Sequence, residues 1–204
     1  MNERELRGLF QAALDALRAE DESLKACFFD GEKQRHPTGR GAPGLTYWLF
    51  ETTLVYFIFK AWLPKVHDVW EHVLEANSKL RPEPYSQGRK GAHEKCDLAI
   101  LDAAGIVQAA FEAKWWNNST SRTQNSLRAD ASKLRRAFPD GGVEKYLLTF
   151  WWGTDTFKKD VEEARAFCKK EALTLVVGDK FDTVLSDEKK GYFALGLLRV
   201  TQVT

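Results

Sequence analysis

The sequence predicts an α/β domain, a central mixed β-sheet flanked by helices. Three observations point there. Apolar residues recur at helical spacing in some stretches and form short strand-like runs in others. The two kinds of segment follow one another in the order helix, strand, hairpin, helix, strand, helix, strand, which is the order of a sheet covered by helices. The length of 204 residues suits one domain, and a hydrophobic content of 44% against 29% charged residues is that of a soluble globular chain.

Taken in order, residues 2–20 read as a helix, with Leu6, Leu9, Phe10, Ala13 and Leu17 on one face and charges on the other. Residues 30–44 (DGEKQRHPTGRGAPG) are a basic loop carrying Lys33, Arg35, His36 and Arg40. A second helix is expected from Leu45 to Trp62. It is apolar nearly all round, hence deeply buried, and Pro64 ends it. The run VHDVWEHVLEA (66–76) fits a strand, with a short helix as the alternative. Residues 77–92 form a second basic loop, with Lys79, Arg81, Arg89 and Lys90 among prolines and glycines. Two strands follow around Asp102-Ala103-Ala104-Gly105. Residues 122–138 then form an amphipathic helix, with Leu127, Ala131, Leu134 and Phe138 inward and Arg128, Lys133, Arg135 and Arg136 outward. KYLLTFWW (145–152) is apolar enough for a central strand. Residues 155–171 are a helix and 173–178 a strand, and the tail YFALGLLRVTQV adds a last strand or helix. No clear boundary divides the chain. Residues 1–44 read as an N-terminal helix and basic loop, 45–152 as the core, and 153–204 as a C-terminal helix and strands of one domain.

The bulk numbers exclude several function classes. A net charge of +1 rules out a uniformly basic nucleic-acid binder, so affinity for a polyanion must come from local patches. Cysteines 27, 96 and 168 contain no C-x-x-C, and the four histidines show no metal-ligand spacing, so zinc sites and disulfide frameworks are not indicated. The longest apolar run, Leu54 to Phe59, is too short for a bilayer, and the charged start MNERELRGLF lacks a signal peptide's apolar core. These features predict a cytoplasmic protein in a reducing compartment with no membrane partner.

The stretch CDLAILDAAGIVQAAFEAKWW (96–116) carries the chemistry. In strands, side chains alternate between faces. Asp97 shares a face with Ala99 and Leu101, and Glu112 shares one with Gln108, Ala110 and Lys114. A hairpin loop of two residues (Ala104-Gly105) or four (103–106) sets Asp97 directly across from Glu112, with Cβ atoms roughly 4.5–5.5 Å apart. An odd loop or a bulge would break that pairing. Two converging carboxylates repel one another, and a hard divalent cation relieves the repulsion. Mg²⁺ takes one or two carboxylates and fills its remaining positions with waters and phosphate oxygens. Lys114, one same-face step from Glu112, can stabilise a phosphate oxygen or orient an attacking water. Together these groups suit metal-assisted phosphodiester hydrolysis.

Asp97 and Glu112-Ala113-Lys114 on adjoining strands, after a helix carrying a glutamate, resemble the PD-(D/E)xK nuclease superfamily and its restriction-endonuclease-like fold. The resemblance spans roughly residues 45–152. Cys96 stands where the motif has proline. The chain also holds Asp187-Glu188-Lys189 and Glu188-Lys189-Lys190, but in a polar turn without a partner acid on a strand. The resemblance implies an endonuclease acting on DNA, in restriction, repair or defence. Its cofactor would be Mg²⁺, with Mn²⁺ able to substitute. Asp97, Glu112 and the Ala113 carbonyl would be metal ligands, and Lys114 would assist the water. An additional acid comes from the first core helix, where Glu51 fits and Glu71 is the rival. Gln124 is a further candidate. Arg35, Arg40, Arg89, Lys90 and Arg128 are candidate contacts to nucleic acid, and duplex substrates make a homodimer an expectation.

Plainer roles stand beside these. Asp97 and Lys114 could form a cross-strand salt bridge, and Glu51 could be a buried acid paired with an arginine. The pairs Trp115-Trp116 and Trp151-Trp152 could stack on bases but fit core packing better. The same fold could also serve as a non-catalytic nucleic-acid-binding or protein-interaction module.

Overall fold

The computed structural model describes residues 1–29, 51–66, 68–71, 96–116, 121–139, 142–154, 156–186 and 189–201. Among these, four helices and six strands alternate as α1 (Glu3–Phe29), α2 (Glu51–Trp62), β1 (Asp68–Glu71), β2 (Leu98–Leu101), β3 (Val107–Trp115), α3 (Ser121–Ala137), β4 (Glu144–Gly153), α4 (Phe157–Lys170), β5 (Leu173–Ser186) and β6 (Lys189–Val200). The strands form one mixed sheet in the order β1-β2-β3-β4-β6-β5. Only β3 and β4 run parallel, and α3 makes the crossover between them. The molecule is α/β, as expected.

Alternation along the strands builds two cores. One face of the sheet, with Leu98, Phe111, Ala113, Tyr146, Leu148, Phe150, Phe193 and Leu195, packs on α1 and α2. The opposite face, with Ala99, Ala110, Leu147, Trp151, Ala194 and Leu198, packs on α3 and α4. Trp62 joins α2 to α1 by donating its indole N–H to the Leu9 carbonyl at 2.8 Å, and its ring lies 4.8 Å from that of Phe111. No helix among the described residues is long and apolar enough to cross a membrane.

Several elements differ from the sequence reading. Helix α1 runs nine residues beyond position 20, to Phe29. Asp21 makes the extension stable. Fully buried, it accepts a hydrogen bond from the Thr183 hydroxyl at 2.7 Å and pairs with Lys25 at 2.6 Å. Helix α2 is described from Glu51, and residues 45–50 of the expected helix lie outside the described residues. It is not buried all round: Leu54, Val55, Ile58 and Trp62 face inward, while Tyr56 is exposed. The segment at 66–76 is a strand over Asp68–Glu71, with Val66 before it outside the strand, and its other residues lie outside the described set. Strand β5 continues past residue 178 to Ser186, with Phe181 and Thr183 buried and Asp182 exposed between them. The tail is a strand from Lys189 to Val200, paired antiparallel with β5.

The β2–β3 hairpin sets the position of the acids, and it does so by neither expected route. The loop has three residues. Gly105 donates to the Asp102 carbonyl and Asp102 to the Ile106 carbonyl, both at 2.9 Å, and Gly105 lies in the left-handed region at φ 75°. The Asp102 carboxylate fastens this turn, accepting from the N–H groups of Ala104 and Ile106 and from the Gln108 amide. Leu101 pairs with Val107 but Ile100 with Ala109, so Gln108 is an extra, bulged residue. The odd loop alone would turn Glu112 to the wrong face. The bulge adds one more residue and restores the parity, so that Leu98 opposes Phe111. Asp97, just before β2, gives its N–H to the Phe111 carbonyl and lies close enough to Glu112 for their charges to interact.

A Cβ on Gly105 would meet no neighbour, so only its backbone conformation resists substitution. Gly105→Ala should therefore lower stability by about 1–2 kcal/mol, and Gly105→Asn by less, because asparagine tolerates the left-handed region. Urea denaturation of the three proteins checks this. An alanine variant as stable as the parent would mean that the turn is not held in this conformation.

Candidate active site

Strand β2 begins at Leu98, opposite Phe111, whereas β3 continues to Trp115. Past Phe111, no strand among the described residues pairs with the β2-side edge of β3. In a strand, a residue's N–H and C=O point to the same side, so Phe111, Ala113 and Trp115 all turn theirs toward this edge. Phe111 uses its carbonyl there to accept the Asp97 N–H at 3.0 Å. The next two N–H groups on this edge bond to carboxylates. Ala113 donates to Asp97 Oδ2 at 2.7 Å, and Trp115 donates to Glu51 Oε2 at 3.2 Å. Trp116 turns the other way and donates to the Phe150 carbonyl of β4. The Ala113 carbonyl accordingly lies on the same edge as Asp97.

Side chains complete the cluster. Glu51, at the start of α2, reaches Lys114: Nζ lies 3.0 Å from Glu51 Oε1 and 3.6 Å from Asp130 Oδ2 of α3. Glu112, on the α3 face of the sheet, is only 4% exposed and sits 2.6 Å from Lys133 Nζ. Four carboxylates (Glu51, Asp97, Glu112, Asp130) thus surround two ammonium groups (Lys114, Lys133), leaving a formal excess of two negative charges.

That imbalance shows in the proton affinities. Burial pushes Glu112 up to about 8, with the charges of Asp97 and Asp130 adding to the rise and Lys133 opposing it. Asp130 is likewise raised by burial and by Asp97, against the pull of Lys114 and Lys133. For Lys114 burial works downward, but the hydrogen bond to Glu51 and the charges of Asp130, Glu51 and Asp97 outweigh it and hold the amine above its ordinary range. Lys114 is therefore an ammonium at neutral pH. Beside the acids, Cys96 is buried and its thiol is raised by desolvation, then by Glu112 and Asp97, which makes it an inert packing residue.

The expected residues Asp97, Glu112, Lys114 and Glu51 thus lie together. Glu71 belongs to β1, whose side chains lie outside the described set, as do Arg35, Arg40, Arg89 and Lys90. Arg128 is half-exposed on α3, but it is held by Glu171 at 2.7 Å and by Asn125, and it lies over the Phe167 ring. Arg135 points back to the Glu171, Ala172 and Thr201 carbonyls, a structural role. Trp116 and Trp151 are buried, and Trp115 packs on Phe150 and Phe193, while Trp152 is exposed. Sequence reasoning missed Asp130 and turned Lys133 outward. Asp130 falls within the apolar stripe Leu127, Ala131, Leu134, a position that should have marked it as facing inward.

The donor set suits a hard divalent ion: two neighbouring carboxylates and a backbone carbonyl, all oxygen, in a cluster with surplus negative charge. Among the described residues, no three His, Cys, Asp or Glu side chains gather at metal-ligand distances, so the carbonyl and water would have to complete the coordination. Comparison of the chain with protein-family models, with curated proteins and with solved structures finds no match.

The raised Glu112 gives a pH signature for the metal-free protein. Its folded value, about 8, lies above its ordinary 4.5. The stability that a neutral Glu112 permits is therefore present in full below pH 4.5 and is lost as pH climbs toward 8. In EDTA, the parent should lose stability relative to Glu112→Gln across that window, by up to about 1.4 kcal/mol per pH unit. A constant difference in chemical denaturation would mean that Glu112 stays ionised throughout, paired with Lys133.

Proposed function

We propose that this chain is a Mg²⁺-dependent phosphodiester hydrolase, a nuclease acting on DNA, with a restriction-endonuclease-like core made of α2, β1, β2, β3, α3 and β4. The observation that carries this reading is the convergence of Asp97, Glu112 and Lys114 at the point where β3 outruns β2. The order of these elements is the one on which the resemblance to PD-(D/E)xK nucleases rests, and Glu51 meets Lys114 from the helix expected to supply the additional acid.

Asp97, Glu112 and the Ala113 carbonyl would hold Mg²⁺ or Mn²⁺, whose chemistry is Lewis-acid polarisation of the phosphate and activation of water. The chain's own groups do the rest. Lys114, kept protonated by its acidic neighbours, offers positive charge to phosphate oxygens and a hydrogen bond that orients the attacking water; it is poorly suited to accept a proton. Glu51 positions Lys114 and ties down the end of β3. Asp130 steadies Lys114 from the opposite side. Cutting both strands of a duplex calls for two such sites, and a homodimer is proposed on that ground. The basic loops with Arg35, Arg40, Arg89 and Lys90 are the proposed contacts to the backbone, and a cytoplasmic setting in restriction, repair or defence is part of the same proposal.

A second reading, a nucleic-acid-binding or protein-interaction module without catalysis, is favoured by one feature. Lys133 on Glu112 and Lys114 on Glu51 give two of the four acids a cationic partner without any metal. Cleavage assays on plasmid, linear and single-stranded DNA, with and without Mg²⁺, separate the two. The nuclease should cut only with the ion, and Lys114→Ala should lose at least about 100-fold in rate while remaining folded. Cutting undiminished in Lys114→Ala removes Lys114 from the mechanism. Salt-dependent binding with no cutting under any condition establishes the module instead.

A further inference from the structure

The two lysines beside the acids are held differently. Lys114 is drawn off toward Glu51 and Asp130. Lys133 instead sets its ammonium 2.6 Å from Oε1 of the most deeply buried acid of the cluster, Glu112. It arrives from α3, whose Leu127, Ala131 and Leu134 are fully packed against the sheet, so the helix cannot move aside readily. The lysine stem can: its side chain is 22% exposed, so the amine can retreat toward solvent.

We propose that Lys133 is a built-in surrogate for the divalent cation: in the metal-free protein its ammonium fills the place beside Glu112 Oε1, and it must withdraw when the ion binds. This rests on the metal reading of Asp97 and Glu112. The physical reason is that a buried carboxylate beside a second carboxylate is costly to leave without a counter-charge. An ammonium provides one charge where a divalent ion provides two. The surrogate preserves the fold and the pairing of the acids between metal-bound states, at the expense of affinity. Lys133 is thus a positioning residue for the acids.

Calorimetry with Mn²⁺ alone tests this on the parent, Lys133→Gln and Lys133→Arg, with circular dichroism to verify folding. Lys133→Gln should bind Mn²⁺ roughly tenfold more tightly, because no charge-assisted bond has to be broken first. Lys133→Arg, which keeps a cation, should bind much as the parent does. A second readout uses the parent only: acylation of Lys133 by an amine-reactive reagent, followed by mass spectrometry, should speed up several-fold when Mn²⁺ is added. Equal or weaker binding by Lys133→Gln, with Asp97→Ala abolishing it, would reduce Lys133 to a structural salt bridge and overturn the proposal. Labelling indifferent to Mn²⁺ in a protein that binds the ion would do the same. If neither the parent nor a folded Lys133→Gln binds Mn²⁺, the metal reading itself fails and takes the surrogate with it.

Discussion

Strand β3 outruns its neighbour, and the polar groups this leaves behind organise the molecule's acidic cluster. Backbone N–H groups inside a protein must find acceptors. Beyond Phe111, no strand among the described residues offers one on the β2 side of β3, and the N–H groups of Ala113 and Trp115 bond to Asp97 and Glu51. Each acid therefore has a structural task before any chemistry is considered. One turns the chain into β2, and the other anchors the start of α2 against the end of β3. Because both are tied to fixed backbone atoms, their carboxylates are held in place without a bound ligand.

The cluster is held from three sides. The sheet supplies Asp97, Glu112 and Lys114, α2 supplies Glu51, and α3 supplies Asp130 and Lys133. The apolar packing of α3 on β3 and β4 fixes the distance at which its polar residues meet the strand. On the proposed reading, it is Lys114 and a bound cation, both held by these acids, that would meet negative charge developing on phosphate oxygens. The cluster also carries an energetic penalty in the resting protein, seen in the raised proton affinities of Glu112 and Asp130.

Much of this was legible in the sequence, and the exceptions have physical causes. The period-two alternation around Gly105 pointed to Asp97 and Glu112 as partners, and the lone acid of an apolar helix pointed to Glu51. Leu98 meets Phe111 in the expected register although the loop was misjudged, because two irregularities cancel: a three-residue turn and the bulge at Gln108. Neither has a strong local signature, since Ala103-Ala104-Gly105 accommodates several turns. The inward role of Lys133 was hidden by its long stem, which lets an amine on the flank of a helix reach a buried partner. The extra length of α1 depended on Asp21 meeting Thr183, a contact 162 residues apart that no local window contains. The length of β5 likewise came from pairing with β6, since its second half is too polar to read as a strand by itself.

The central claim is that the β2-side edge of β3, past Phe111, is a divalent-cation site built from Asp97, Glu112 and the Ala113 carbonyl. The most direct measurement is anomalous diffraction from crystals grown with Mn²⁺. The account predicts a peak within coordination distance of both carboxylates and that carbonyl, with the Lys133 ammonium displaced from Glu112. A well-ordered edge with no anomalous density, and Lys133 still seated on Glu112 at saturating Mn²⁺, would contradict it.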